Sequence, residues 1–121
     1  MSNEELKSSL VYWQKRLRLQ DWDIVLELVR LKEWLALGKD AYTAGVCAAN
    51  RPCGWARIRL LHIDDIAEDA VPSIRDPEVT LVHELLHLVM PVSSPEGDDA
   101  HGERAINRIA EALVTERRMR A

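Results

Sequence analysis

Asp76-Pro77-Glu78-Val79-Thr80-Leu81-Val82-His83-Glu84-Leu85-Leu86-His87-Leu88-Val89-Met90 is the stretch on which the fold of this chain turns. An aspartate can cap a first turn because its carboxylate accepts from the free amides there, and proline suits the first helical position, where an N–H would have no partner. A helix is therefore predicted over Pro77 to Met90. It should stop before Pro91, because the residue preceding a proline is pushed out of the helical region. Val79, Leu81, Val82, Leu85, Leu86, Leu88 and Val89 make this the most apolar helix of the chain, so it belongs in the core. Within it, His83-Glu84-Leu85-Leu86-His87 is an H-E-x-x-H pattern in the helical setting that the pattern requires. Side chains four apart share a face with Cβ atoms ~6 Å apart, so both imidazoles can reach one tetrahedral zinc at ~2.1 Å. Glu84 sits one step round, within reach of a water on such a metal. The plainer alternative is a pair of hydrogen-bonded core histidines beside a surface glutamate. Against it, two histidines and a glutamate on so apolar a helix are costly unless paired or ligating.

A catalytic zinc takes a third protein ligand and keeps its fourth position open. Downstream of the pattern the candidates are His101 and Glu103. On a regular helix they project ~200° apart, so one metal cannot take both. Glu103 shares a stripe with Ile106, Ala110 and Leu113, the side expected to face the protein. His101 projects with Arg104, Arg108 and Ala112, a wetter side. The stripe favours Glu103, and His101 stands as the alternative. Both belong to a last helix expected over His101 to Arg118, after a loop of Pro, Ser, Gly and Asp over Pro91 to Ala100. Arg117-Arg118-Met119-Arg120 reads as that helix's end and a frayed tail.

Upstream, Leu6, Leu10, Trp13 and Leu17 recur at helical spacing, predicting a packing helix over Asn3 to Leu19. Ser2 and Glu5 have the form of a capping box, and Lys15, Arg16 and Arg18 lie where the helix dipole favours cations. Alternation from Trp22 to Leu31 predicts a strand. Leu31 to Leu37 is ambiguous, and Gly38-Lys39-Asp40 breaks the chain. Tyr42 to Ala48 and Trp55 to Ile63 then form a hairpin through Asn50-Arg51-Pro52. In its second arm Ala56, Ile58, Leu60 and His62 share the face expected to be buried, opposite Trp55, Arg57, Arg59 and Leu61. Arg57 and Arg59 read as an exposed charged face on an edge-like strand. The four tryptophans at 13, 22, 34 and 55 read as core or core-edge residues, and Asp64 to Asp69 as a solvated connection. The order is α-β-β-β-α-α, an α+β domain with a small, mainly antiparallel three-stranded sheet.

The chain has 121 residues, 47% hydrophobic and 30% charged, which fits one domain over 1–121 with a single modest core. Sixteen Lys and Arg against 20 Asp and Glu leave a net charge of −4, so gripping a phosphate backbone is not its expected task. No apolar run approaches the ~20 residues that span a bilayer, and the polar start is not a signal peptide, so the expected setting is cytoplasmic. Cys47 and Cys53 lack companions for a structural zinc set and are expected reduced, a cross-strand disulfide being the alternative.

His83-Glu84-x-x-His87, followed by Glu103-x-x-Ile106-Asn107-x-Ile109-Ala110-x-Ala112-Leu113, resembles the glutamate-type zincins (gluzincins). The likeness is closest to small metallopeptidases of the ImmA/IrrE kind and related phage-encoded peptidases, and it is strong from Pro77 to Val114. It implies a minimal zincin-like domain that hydrolyses peptide bonds in a peptide or protein substrate. Zn²⁺ would be held by His83, His87 and Glu103, with Glu84 as general base. The substrate is expected to lie extended along the strand Trp55 to Ile63. One departure, His101-Gly102, resembles the His-Gly of SprT-type peptidases, in which that histidine is the ligand. That alternative implies a protease acting on DNA-bound protein. A zinc-containing binding or regulatory module without turnover is another alternative, and a latent enzyme covered by the Pro91 to Ala100 loop or a terminus is a third. Tyr42, His62 and His101 are candidates for stabilising an oxyanion.

Overall fold

The computed structural model describes residues 2–90 and 100–121, apart from the side chains of Ala100 and His101. The loop expected over Pro91 to Ala100 thus lies outside the described residues except for the backbone of its last one. The chain begins with α1, Asn3–Arg16, opened by the anticipated capping box: Glu5 N–H donates to Ser2 Oγ and Ser2 N–H to Glu5 Oε1, both at 3.1 Å. β1 covers Asp23–Val29, and the ambiguous stretch after it is a short helix, α2, Leu31–Ala36. Trp34 explains that helix. Its ring is fully buried and its indole N–H donates to the Asp40 carbonyl at 2.8 Å, anchoring six residues that are too few to hold a helix alone.

β2, Gly45–Asn50, and β3, Trp55–Leu61, form the expected hairpin, with Gly54 at φ +67° in its turn. The strand order is β1-β3-β2, and β1 pairs with β3 in parallel. The sheet is therefore mixed and not mainly antiparallel. α2 carries the chain across the end of the sheet, leaving a gap one strand wide between β1 and β2, and the hairpin returns β3 into it. Two expectations about β3 change with this. It is the central strand, paired on both sides, so no substrate can add to it. Arg57 and Arg59 are not on an edge either: Arg57 meets Glu27 of β1 at 2.9 Å, and Arg59 approaches the same carboxylate at 3.9 Å. The expected inward face of β3 holds for Ala56, Ile58 and Leu60, at most 1% exposed, but His62 lies past the strand's end and partly exposed, and Leu61, expected opposite, is buried in the smaller cluster under α2.

α3, Pro77–Val89, is capped as expected by Asp76, which accepts from the Glu78 and Val79 amides. It packs against β2 and β3 on one side and α4, Ala100–Arg120, on another, and it touches α1 as well. Leu81, Val82 and Leu85 are fully buried against Leu6, Trp13, Ile58 and Leu60. α4 contributes Ile106, Ala110 and Val114, so the buried stripe includes Val114 where Leu113 was expected; Leu113 lies at its margin. A smaller apolar cluster around Val29, Trp34, Ala44 and Leu61 lies under α2.

The end of α4 is not a frayed tail. Arg117 and Arg118 reach back to Glu78, which is only 4% exposed, with nitrogen–oxygen distances of 2.6 and 3.2 Å. The Trp13 indole donates to the same carboxylate at 2.8 Å and the Ser9 hydroxyl at 3.3 Å, so one buried anion ties α1, α3 and α4 together. Arg118 also meets Asp76 at 2.7 Å. Cys47 and Cys53 are free thiols. Among the described residues no helix is long and apolar enough to cross a membrane.

Candidate metal centre

α3 presents His83 and His87 one turn apart on the side facing the start of α4, with ring centroids 5.1 Å apart. Glu103, in the first turn of α4, enters between them: Oε2 lies 2.9 Å from His83 Nε2 and Oε1 3.1 Å from His87 Nε2. The three ligand atoms all lie within 4.8 Å of one another. Around a tetrahedral zinc with bonds of ~2.0–2.1 Å, neighbouring ligand atoms stand about 3.4 Å apart, so little adjustment would be needed. The donor set fits too. Two imidazole nitrogens and a carboxylate oxygen are donor types that zinc takes, and here they converge at hydrogen-bond distance.

A further contact suits His83 to this task. Its Nδ1 lies 3.3 Å from Asn107 Oδ1, while the Asn107 amide nitrogen donates to Glu111 at 2.8 Å and Ser73 at 3.3 Å. With its NH₂ engaged by two acceptors, Asn107 turns its oxygen to the histidine. That oxygen favours a proton on Nδ1 and leaves the Nε2 lone pair free. The sequence carried a signal for this residue: Asn107 is four places after Glu103 and so shares its face of α4.

Glu84 is 6% exposed and lines a cavity of about 340 Å³ together with His83, His87 and Glu103. Burial pushes its carboxyl up to about 7, with His83 opposing the rise and Glu103 adding to it. Burial likewise holds the His87 imidazole below its ordinary value, against the pull of Glu103. The opposite wall is β2, which pairs with β3 alone among the described residues and so is an edge strand. Its residues Gly45, Val46, Cys47 and Ala49 line the cavity. Gly45 allows the closest approach: a Cβ there would stand 2.7 Å from Thr80 Cγ2 and 3.1 Å from Glu84 Cγ. Arg51, just beyond β2, donates to the His87 carbonyl at 2.7 Å and to the Leu88 carbonyl at 3.2 Å, joining the hairpin to the end of α3.

The structure thus brings together His83, Glu84, His87 and Glu103. The backbone of His101 lies in the first turn of α4, and its side chain is outside the described residues. Of the other oxyanion candidates, Tyr42 lines an adjoining cavity with His83, Glu84 and Glu103, its hydroxyl bonded to Asp69 at 3.0 Å. His62 is occupied elsewhere: its ring accepts from the Asp64 amide at the 3-10 turn after β3. Comparison of the chain with family models, with curated proteins and with solved structures finds no match.

Proposed function

We propose that the protein is a zinc-dependent peptidase whose metal is held by His83, His87 and Glu103. The supporting observation is the convergence of two imidazoles and a carboxylate from separate helices, with Glu84 beside them in a cavity walled by an edge strand. Zinc supplies Lewis acidity that polarises a carbonyl and makes water more acidic. The protein's own residues do the rest. Asn107 holds His83 in the tautomer that ligates. Glu84, within the cavity, accepts a proton from the attacking water on its carboxylate and hands it to the leaving amine. The substrate backbone lies extended and adds to the open edge of β2, where main-chain hydrogen bonds fix its register beside the metal. β2 takes the place first expected of β3, because it packs on α3 and has an unpaired edge among the described residues.

Metal analysis after exposure to zinc at neutral pH tests the centre, with about one zinc per chain expected. Glu84→Gln keeps the shape of the side chain and removes its basicity. Zinc content should stay the same while hydrolysis of a peptide library falls by about 10²–10⁴-fold. Loss of zinc on this substitution would make Glu84 a ligand, and unchanged turnover would assign the base to another group.

A further inference from the structure

Most arginines whose contacts are fixed here meet a carboxylate: Arg30 meets Asp65, Arg57 meets Glu27, Arg117 and Arg118 meet Glu78, and Arg120 meets Glu116. Arg51 is different. Its two hydrogen bonds go to the neutral carbonyls of His87 and Leu88, and no carboxylate pairs with it among the described residues. Among the described residues, those bonds leave the rest of the guanidinium's five N–H donors unused and its charge without a paired carboxylate, and the residue is exposed. They also fix the guanidinium in place, so little side-chain freedom is lost when it binds something else.

Position gives this cation a purpose. Gly45, Val46, Cys47 and Ala49 of β2 line the metal cavity, and Arg51 extends that wall past the strand's end. It is the one lysine or arginine among the described residues lining that cavity. An extended peptide on β2 places its own alternate side chains, or its terminus, along this wall. Charge points the same way: the carboxylates of Glu103 and Glu84 would balance a doubly positive metal, which leaves Arg51 as the unbalanced positive group among the described residues lining the cavity.

We propose that Arg51 reads a carboxylate of the substrate, so that the cavity selects peptides bearing an acidic side chain, or a free C-terminal carboxylate, on the hairpin side of the scissile bond. This rests on the peptidase reading above. The shared chemistry is a carboxylate held by a guanidinium, and the two sources separate experimentally.

The test is calorimetric binding of short peptide hydroxamates to the zinc-loaded chain, which needs no turnover. Placing the hydroxamate at either end of the peptide samples both directions along β2. The probes differ in one neighbouring group: Glu, Gln or Lys with an amidated terminus, or Gln with a free C-terminal carboxylate. One or both carboxylate probes should bind about 10- to 100-fold tighter than the Gln amide, the range expected for a hydrogen bond to a charged group. Preference for the Glu amide marks an internal acidic residue, and preference for the free terminus marks a carboxypeptidase. Arg51→Gln should abolish the difference and Arg51→Glu should turn it towards the Lys probe, with zinc content unchanged. Should those variants loosen the end of α3, Arg51→Lys keeps the charge and should keep part of the preference. Equal binding of all probes to the zinc-loaded wild-type chain, or a carboxylate preference that survives Arg51→Glu, overturns the inference alone. A chain that takes up no zinc, or takes it up and binds no hydroxamate, overturns the peptidase reading and this inference with it.

Discussion

Replacing Gly45 by alanine inserts a methyl group where β2 comes closest to α3. The added Cβ would lie 2.7 Å from Thr80 Cγ2, with Glu84 Cγ at 3.1 Å and Leu60 Cδ2 at 3.3 Å. Carbon atoms pack comfortably at about 3.5–4.0 Å, so the strand must retreat from α3 by about 1 Å or Thr80 must turn away. Overpacking of this kind costs about 1–3 kcal/mol. Thr80→Ser tests the cause, because it deletes only Cγ2 and keeps the hydroxyl that donates to the Asp76 carbonyl at 3.2 Å. Alone it should cost about 1 kcal/mol for one lost methyl. Combined with Gly45→Ala it should cost less than the sum of the two, with a coupling of about 1–2 kcal/mol in the favourable direction. Urea unfolding of the four chains measures that coupling. A peptidase assay adds a second readout: an edge strand displaced by about 1 Å should slow hydrolysis by up to about 10²-fold, and the double variant should recover part of the loss. Additive stabilities within about 0.5 kcal/mol would refute the steric account.

Glu103→Ala should lower zinc affinity by a large factor while His101→Ala leaves it nearly intact; a competition titration with a chelator ranks the two, and the reverse order would make the centre a SprT-type one. Asn107→Ala removes the acceptor facing His83 Nδ1 and should weaken zinc binding by about 10- to 100-fold in the same titration. Burial raises the Asp76 carboxyl, but its hydrogen bonds to Arg118 and to the first amides of α3 outweigh this and hold it below the usual carboxylate range. Its contribution to stability is therefore present above the unfolded value near pH ~4 and fades as pH falls through the lower folded value. Asp76→Asn should accordingly be less stable than wild type at pH 7, with the gap closing in denaturation curves taken below about pH 4.

α3 and its histidines were legible because everything that specifies them is local. Asp76 and Pro77 mark the start, and the four-residue spacing of His83 and His87 needs only a helix to bring them together. Glu103 was legible one step further, because the stripe it shares with Ile106 and Ala110 has to face the protein. The strand order was not. Alternation tells which face of β3 is buried, but nothing within Trp55–Leu61 tells whether its neighbours are two strands or one, and that depends on where Trp34 anchors α2. The role of Glu78 was not legible for the same reason: only tertiary packing makes it the buried acceptor for Trp13 and Arg117. Arg51 read as turn sequence, its link to the end of α3 being 36 residues away in the chain.

α4 is fastened to the rest of the protein at both ends by different chemistry. At its start Glu103 closes on the two imidazoles, and at its far end Arg117 and Arg118 close on Glu78 and Asp76. The two fastenings lie 14 residues apart, about 21 Å along a helix. They therefore release independently. On the proposed zinc reading a chelator would act on the first turn alone, whereas acid loosens the far clasp as Asp76 takes up a proton. On that reading the metal would add a bond at an end that Glu103 already joins to His83 and His87, so metal and proton would act on opposite ends of one helix.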